Sequence, residues 1–527
     1  MTQYLAHISM DEQQRTQSVE THCQNTAAYA AQALSPVSLA ASGYLAGLIH
    51  DIGKYTDKFQ NYLIRQIGTR GSVNYTFAGV RLLLERYHSK KSTDLSFADI
   101  VCEVLAVAVG GHHGLFDCIS EQGKNGFEER LTRQGIDYDQ AVNEFFRCCV
   151  SSEELDQRFY EAEQQLTPVL ERISNMTDLN RDQYEEETHF YSGLLCRLIL
   201  SAVIDGDRQD TAEFMRNQAF PQKRTQDELD QLWSECLARV EQKLCVFPQI
   251  SEIDKARQTI SAQCKAAAKQ SGGIFRLNVP TGGGKTLSSL RYALAHAKEY
   301  HKQHIIFTAP LLSILDQNAH VIRDFIQDDS IILEHHSNLS ETEQIIQEIQ
   351  NNTSNISNEH LNHHELLLEN WDSPIIITTQ VQLLHTLFLG KTSAIRRFHA
   401  LCNSIIVIDE VQTIPAKMLS LFTLAMNFLA KVCGTTIVLC SATQPCVETL
   451  EHPLHTPIPD LVPYDPVIWK AFQRTNIIDI GSKSLEQIAA FASECLADRN
   501  SLLIVCNKKA QAEMLLHLLE NQDTDLF

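Results

Sequence analysis

The sequence predicts a multidomain chain: an all-α unit, an α/β unit built on a parallel sheet, and the start of a second α/β unit. Three observations predict it. Apolar residues recur at helical spacing as far as about Gln222, with little strand character. Strands then alternate with helices from Ser251 to roughly Thr475, as in a doubly wound sheet. Beyond a helical stretch from Ser484 to Asp498, the run Leu502 to Asn507 opens another strand. The resulting divisions are 1–222, a connecting helix 223–250, 251–475, and 476–527. A chain of 527 residues with 44% apolar content can bury several cores, since domains run to about 100–200 residues.

In the first unit the clearest helical runs are Leu39 to Leu63 and Gly193 to Ile204. The stretch 223–250 carries Leu229, Leu232, Cys236 and Val240 at helical spacing, so it reads as an amphipathic connecting helix rather than a flexible linker. In the α/β unit, Ile274 to Val279, Ser404 to Ile408 and Thr436 to Cys440 are apolar runs of the kind buried in a parallel sheet. The polar stretch Asn338 to Asn362 reads as an exposed insertion. The pairs His335-His336 and His363-His364 flank it and read as surface or helix-end histidines. No internal repeat is evident.

The strand Ile274 to Val279 enters Pro280-Thr281-Gly282-Gly283-Gly284-Lys285-Thr286. A strand running into such a turn makes a phosphate cradle: glycines let backbone N–H groups close around phosphates, Lys285 adds a point charge, and the Thr286 hydroxyl can hold Mg²⁺. The ligand this implies is a nucleoside triphosphate. The strand Ser404 to Ile408 ends in Asp409-Glu410, where Asp409 is expected to hold Mg²⁺ and Glu410 the attacking water. An ordinary Gly-rich turn and a surface acidic pair are the alternative readings. Ser441-Ala442-Thr443, at the end of the third strand, could couple this site to a neighbouring groove.

The helical unit carries a second chemistry. His22, His50-Asp51, His112-His113 and Asp205 lie on separate predicted helices, which is how a bundle builds a metal cage. Lys54 lies one turn beyond Asp51 and could meet a phosphate. Imidazole and carboxylate ligands suit Mn²⁺, Fe²⁺, Co²⁺, Ni²⁺ or Zn²⁺, whose bound water becomes a nucleophile for phosphodiester hydrolysis, with Asp51 and Lys54 in catalytic roles.

Composition bounds the partners. A formal charge of −21 argues against a broad nonspecific nucleic-acid surface, so any DNA contact must be local. No apolar stretch approaches a membrane span, and the start lacks a basic and an apolar leader segment, which points to the cytoplasm and to no membrane partner. Fifteen cysteines without a C-x-x-C pair support neither a zinc ribbon nor a disulfide framework.

The order His22, His50-Asp51-Ile52-Gly53-Lys54, Gly111-His112-His113-Gly114, Asp205-Gly206-Asp207, followed by the Pro-Thr-Gly-x-Gly-Lys-Thr loop, resembles the CRISPR-associated helicase–nucleases of type I systems. Thr308-Ala309-Pro310 to Gln317, Thr378-Thr379-Gln380 and Asp409-Glu410-Val411-Gln412 resemble further motifs of the superfamily 2 motor. The resemblance implies an HD nuclease fused to RecA-like lobes: an ATP-dependent 3′–5′ motor coupled to metal-dependent cleavage of single-stranded DNA. It also implies recruitment by an RNA-guided, Cascade-like surveillance complex. Two substitutions depart from the family pattern. Tyr75 stands where relatives have a histidine, which predicts one firmly held metal ion and a weaker second, with His88 or Asp207 as candidate further ligands. Gln412 stands where many have histidine at the end of the motor motif. Asn507-Lys508-Lys509-Ala510-Gln511 resembles the opening of the second lobe, so the chain reads as truncated within it, with a weakened ATPase or a separate polypeptide supplying the rest. An HD nucleotide phosphohydrolase with an ATP-sensing module, and a noncatalytic subunit of the surveillance complex, are the competing readings.

Overall fold

Two short strands, β1 (Leu5–Ile8) and β2 (Thr16–Ser18), pair antiparallel ahead of the helices, an addition to the all-α expectation. They are too short to leave a clear alternation in the sequence. The computed structural model describes residues 4–9, 13–65, 76–90, 95–115, 125–132, 137–177, 183–336, 370–455, 457–497 and 499–519. The chain divides into two units, Met1–Phe472 and Gln473–Phe527.

In the first unit nine helices follow the hairpin among the described residues: α1 (Val19–Leu34), α2 (Ala40–Ile49), α3 (Asp57–Arg65), α4 (Phe77–Tyr87), α5 (Phe97–Gly111), α6 (Gly126–Leu131), α7 (Tyr138–Cys148), α8 (Ser152–Met176) and α9 (Tyr184–Arg216). The expected single run from Leu39 to Leu63 is split. Helix α2 stops at Ile49, and a short helical turn, Ile52–Tyr55, redirects the chain into α3. That break sets His50 and Asp51 at the end of a helix. Helix α9, 33 residues long, contains the predicted run Gly193 to Ile204, and its middle is buried on nearly every face.

Helix α10 (Gln226–Cys245) starts at a capping box between Thr225 and Glu228, which satisfies orphan N–H groups at its first turn. It buries Leu229, Cys236 and Val240 as expected, together with Trp233, whose indole N–H donates to the Lys302 carbonyl at 2.8 Å. Leu232 is only partly buried. The helix is thus packed onto the α/β layer. A second capped helix, α11 (Glu252–Ala267), precedes the sheet.

Six strands form that sheet: β3 (Ile274–Asn278), β4 (Ile305–Ala309), β5 (Ile332–His335), β6 (Ile375–Thr379), β7 (Ile405–Ile408) and β8 (Thr436–Ser441), all parallel in the order β3-β8-β7-β4-β6-β5. Helices α12 (Lys285–Glu299) and α13 (Leu312–Ile326) cover one face. Strands β4 and β7 are buried along their whole length, which explains their continuous rather than alternating apolar character. Each buried Ile or Leu contributes about 1.5–3 kcal/mol. The helical part and the sheet share one apolar core, in which Tyr191 of α9 stacks on Phe428. His335 ends β5 and is buried, its ring accepting the Trp371 indole N–H at 3.0 Å, so it is not the surface histidine expected. The stretch Asn338 to Asn362, His363-His364 and Tyr75 lie outside the described residues.

His296 of α12 is fully buried, with Nδ1 at 2.9 Å from the Ala268 carbonyl and Nε2 at 2.9 Å from Thr436 Oγ1. Burial pushes its pKa down to about 4, against the pull of the Ala268 carbonyl and with help from Lys302. Between that value and an unfolded pKa near 6.5, the unfolded chain binds more protons. The stability contribution is therefore present above about pH 6.5 and is lost as pH falls toward 4. Acidification from pH 7 to 5 is expected to cost about 2 kcal/mol through this residue. Thermal melts at both pH values check it, and His296→Asn should shrink the difference.

The second unit holds two helices, Leu485–Ala497 and Lys509–Leu519, packed through Ala489, Ala492, Leu515 and Leu519. The strand expected over Leu502 to Asn507 is not formed: residues 501–506 have no strand partner among the described residues, and Leu503 and Val505 are exposed. A strand needs a neighbour for its backbone groups. Among the described residues no helix is long and apolar enough to cross a membrane.

Candidate active sites

Small residues bring three helices of the first unit into backbone contact. A Cβ on Gly47 of α2 would lie 2.7 Å from the Ala27 Cα of α1, and one on Gly206 of α9 would lie 2.7 Å from the Thr26 carbonyl oxygen. At this junction His22 (α1), His50 and Asp51 (the end of α2) and Asp207 (α9) converge, with His112 and His113 arriving from the end of α5. Imidazole Nε2 of His22 lies 3.4 Å from both Asp51 Oδ2 and Asp207 Oδ1. His50 Nε2 is 3.3 Å from Asp51 Oδ2, and His112 Nε2 is 3.4 Å from Asp51 Oδ1. His113 Nε2 stands at 3.9 Å from the same oxygen, on a side chain still 42% exposed.

The ring orientations are what a cation needs. Each buried histidine ties its Nδ1 elsewhere: His22 to Asp210 at 2.6 Å, His50 to the Gly47 carbonyl at 2.7 Å, His112 to the Val109 carbonyl at 2.6 Å. That bond holds the proton on Nδ1 and turns the Nε2 lone pair inward. All three Nε2 atoms are buried without a hydrogen-bond partner, a costly arrangement unless a cation satisfies it. Two overlapping ligand groups result, His22–His50–Asp51–Asp207 and Asp51–His112–His113, sharing Asp51. Burial alone would raise the Asp51 pKa, but Lys54 and His50, with bonds to His112 and His22, hold it well below the usual carboxylate range. Lys54 Nζ sits 2.6 Å from Asp51 Oδ2.

Asp205, expected in this cage, is not there. It is buried 2.7 Å from Arg396 Nε, 3.5 Å from His399 and 3.9 Å from Lys223. Residues two apart on a helix point about 200° apart, so Asp207, on the face of Asp210, takes the place expected for Asp205. The spacing shows in the sequence that only one of the two can join the cage, and the packing of α9 decides which. His88, the other candidate ligand, lies elsewhere, 3.2 Å from Glu103. Gly47→Ala is expected to push α1 and α2 apart, costing about 1–3 kcal/mol and weakening Mn²⁺ binding, as thermal melts and calorimetric titration would read.

The phosphate loop lies between β3 and α12. Gly282 and Gly284 have φ of 83° and 80°, conformations side chains resist, and Lys285 opens the helix. Its Nζ donates to Glu410 Oε1 at 2.6 Å, while Thr286 Oγ1 donates to Asn318 Oδ1 at 2.8 Å and Asn318 Nδ2 to Asp409 Oδ2 at 3.3 Å. Glu410 itself has φ of 50°, a strained conformation of the sort functional sites retain. Gln412 bridges Glu410 Oε2 (2.6 Å) and the Ser441 hydroxyl (2.7 Å). Gln380 donates to the Asp409 carbonyl at 2.7 Å and accepts from Thr413 Oγ1 at 3.0 Å. Burial raises the pKa of Asp409. Glu410 would also rise on burial, but Lys285 and Gln412 bring it down. Pro280, Thr281 and Gly283 complete the loop, with the Gly283 N–H donating to the Pro280 carbonyl at 2.9 Å. A cleft of about 410 Å³ opens beside it, lined by Phe247, Pro248, Arg257, Gln258 and Leu287. Sequence reasoning missed this cleft because its walls come from separate segments.

Fold and sites together define a class: a helical histidine–aspartate domain joined to a phosphate-loop α/β domain. The family model "Cas3, HD domain" matches residues 9–196, and "DEAD/DEAH box helicase" matches residues 258–451. Together the two matches support a CRISPR-associated Cas3-type fusion of an HD domain and a helicase domain. A solved structure titled as a CRISPR-associated protein is similar in fold, with a TM-score of 0.51 at 14% identity over 98% of this chain and 62% of that one. T. fusca Cas3 with AMPPNP gives a TM-score of 0.47 at 16% identity over 84% of this chain. The chain spans about half the length of the T. fusca protein. No curated protein sequence matches significantly.

Proposed function

We propose that the chain cleaves single-stranded DNA at the HD cluster and binds ATP with Mg²⁺ at the phosphate loop, as the nuclease–motor of a CRISPR interference system in the cytoplasm. The observation that carries this is the convergence of three unpartnered imidazole Nε2 atoms on Asp51 and Asp207. His22, His50, Asp51 and Asp207 would hold one divalent ion such as Mn²⁺, Co²⁺, Ni²⁺ or Fe²⁺, with Asp51, His112 and His113 offering a second position. Such an ion supplies an acidified water and charge neutralisation at the phosphodiester. Lys54 keeps Asp51 ionised and oriented, and His113 stands at the exposed edge where a strand would enter.

At the loop, Lys285 and Thr286 would face the phosphates, Asp409 would hold a Mg²⁺, and Glu410 with Gln412 would orient an attacking water. The base fits the cleft beside Phe247 and Gln258. Lys285 is held against Glu410 at 2.6 Å, ready to meet the phosphates. The family supports an RNA-guided, Cascade-like complex as recruiting partner.

The test is incubation of the purified chain with circular single-stranded DNA and Mn²⁺ without ATP. Linearised product supports the proposal. Hydrolysis of free nucleotides with intact DNA would favour a nucleotide phosphohydrolase, and inertness toward both would favour a noncatalytic subunit.

A further inference from the structure

Helix α9 carries Asp207 and Asp210 of the HD cluster, and it also grips one segment of the α/β layer at three places. Arg197 Nε donates to the Thr386 carbonyl at 3.0 Å, and its Nη2 donates to the Leu389 carbonyl at 2.7 Å and approaches that of His385 at 3.5 Å. These carbonyls lie at the C-terminus of the helix Gln380–Phe388, where backbone acceptors have no intrahelical donor and a cation is favoured. Two turns along α9, Asp205 accepts from Arg396 Nε at 2.7 Å, both side chains being about 2–3% exposed. One turn further, Arg208 donates to Thr392 Oγ1 at 2.6 Å.

The other end of the gripped segment belongs to the nucleotide site. Gln380, first residue of that helix, is bonded to the Asp409 carbonyl and to Thr413, and Glu410 beside it is bonded to Lys285. The helix of nine residues spans only about 13 Å. One short rigid element thus touches the carboxylate loop at its start and α9 at its end. Phosphates arriving at Lys285 must draw it from Glu410, which changes the loop that Gln380 holds.

We propose that Arg197 and the Asp205–Arg396 pair are positioning residues that couple nucleotide occupancy to the geometry of the HD cluster. The coupling rests on the nucleotide and metal sites assigned under the proposed function. It is reciprocal: a nucleotide that changes Co²⁺ affinity at the cluster is itself bound with affinity changed by the same factor.

The experiment uses the full chain and three readouts: binding of a fluorescent non-hydrolysable ATP analogue with excess Mg²⁺, Co²⁺ affinity from its visible absorption with and without that analogue, and amide hydrogen exchange. In the wild type, Co²⁺ affinity should change at least about fivefold on nucleotide binding, and exchange across residues 197–210 should change with it. In Arg197→Met and in Asp205→Leu/Arg396→Met, which replaces the buried pair by apolar groups of similar size, both ligands should still bind while the shift shrinks to below about twofold. Should Arg197→Met fail to fold, Arg197→Lys keeps the charge but loses the planar fork that reaches several carbonyls, and the same loss is expected. An unchanged shift in these variants overturns the proposal. So does a wild-type chain that binds both ligands with no shift and no exchange response in α9. Failure to bind nucleotide or Co²⁺ at all also overturns it, and that result separately identifies the underlying site assignment as the cause.

Discussion

Replacing Asp51 by alanine is expected to abolish metal-dependent cleavage of circular single-stranded DNA, a loss of at least about three orders of magnitude in rate if the acidified water is the nucleophile. Asp51 is the one carboxylate common to both ligand groups. It also lies within 3.4 Å of His22, His50 and His112, and pairs with Lys54. Its removal takes a ligand from each position and leaves the Lys54 ammonium buried without its partner, which is itself destabilising. Circular dichroism must therefore show a folded variant before the nuclease result is read. Asp51→Asn, with the same shape and no charge, should fold and still fail to bind Mn²⁺ by calorimetry. Undiminished cleavage by either variant would sink the assignment of this cluster.

The second large effect is expected at Lys285. Lys285→Ala removes a charge-assisted bond to phosphate worth about 1.5–3 kcal/mol, so ATP should bind about ten- to a hundredfold more weakly, as titration with a fluorescent analogue would show. Hydrolysis should fall further than binding. The transferring phosphoryl group loses the point charge that Lys285 supplies. The nuclease assay without ATP should be unaffected. ATP affinity equal to the wild type would place the phosphates elsewhere.

Much of the nucleotide site was legible because its chemistry is contiguous. A buried strand, glycines able to take positive φ, a lysine and a threonine occupy adjacent positions, and Asp409-Glu410 sits at the end of a run that only a covered parallel sheet accommodates. The helical cage was legible in part. Four short segments carried imidazoles and carboxylates, and the motif order tied them together, but choosing between Asp205 and Asp207 required the rotational phase of a helix packed on two sides.

By itself, then, the sequence marked most of the helices and the buried strands of the sheet, because periodicity and turn residues act over a few positions. It also determined which residue types could bind phosphate or metal. The tertiary structure alone decided which of them meet. Gly47 and Gly206 let three backbones close on one point, the break after Ile49 turned Asp51 inward, and α9 came to touch both the cage and the segment running from Gln380. The same long-range packing built the cleft beside Phe247 and buried His335. The physical reason is common to all of these. Local propensities are properties of neighbouring residues, whereas a site between distant segments depends on side-chain volumes and backbone approach that exist only once the core has closed.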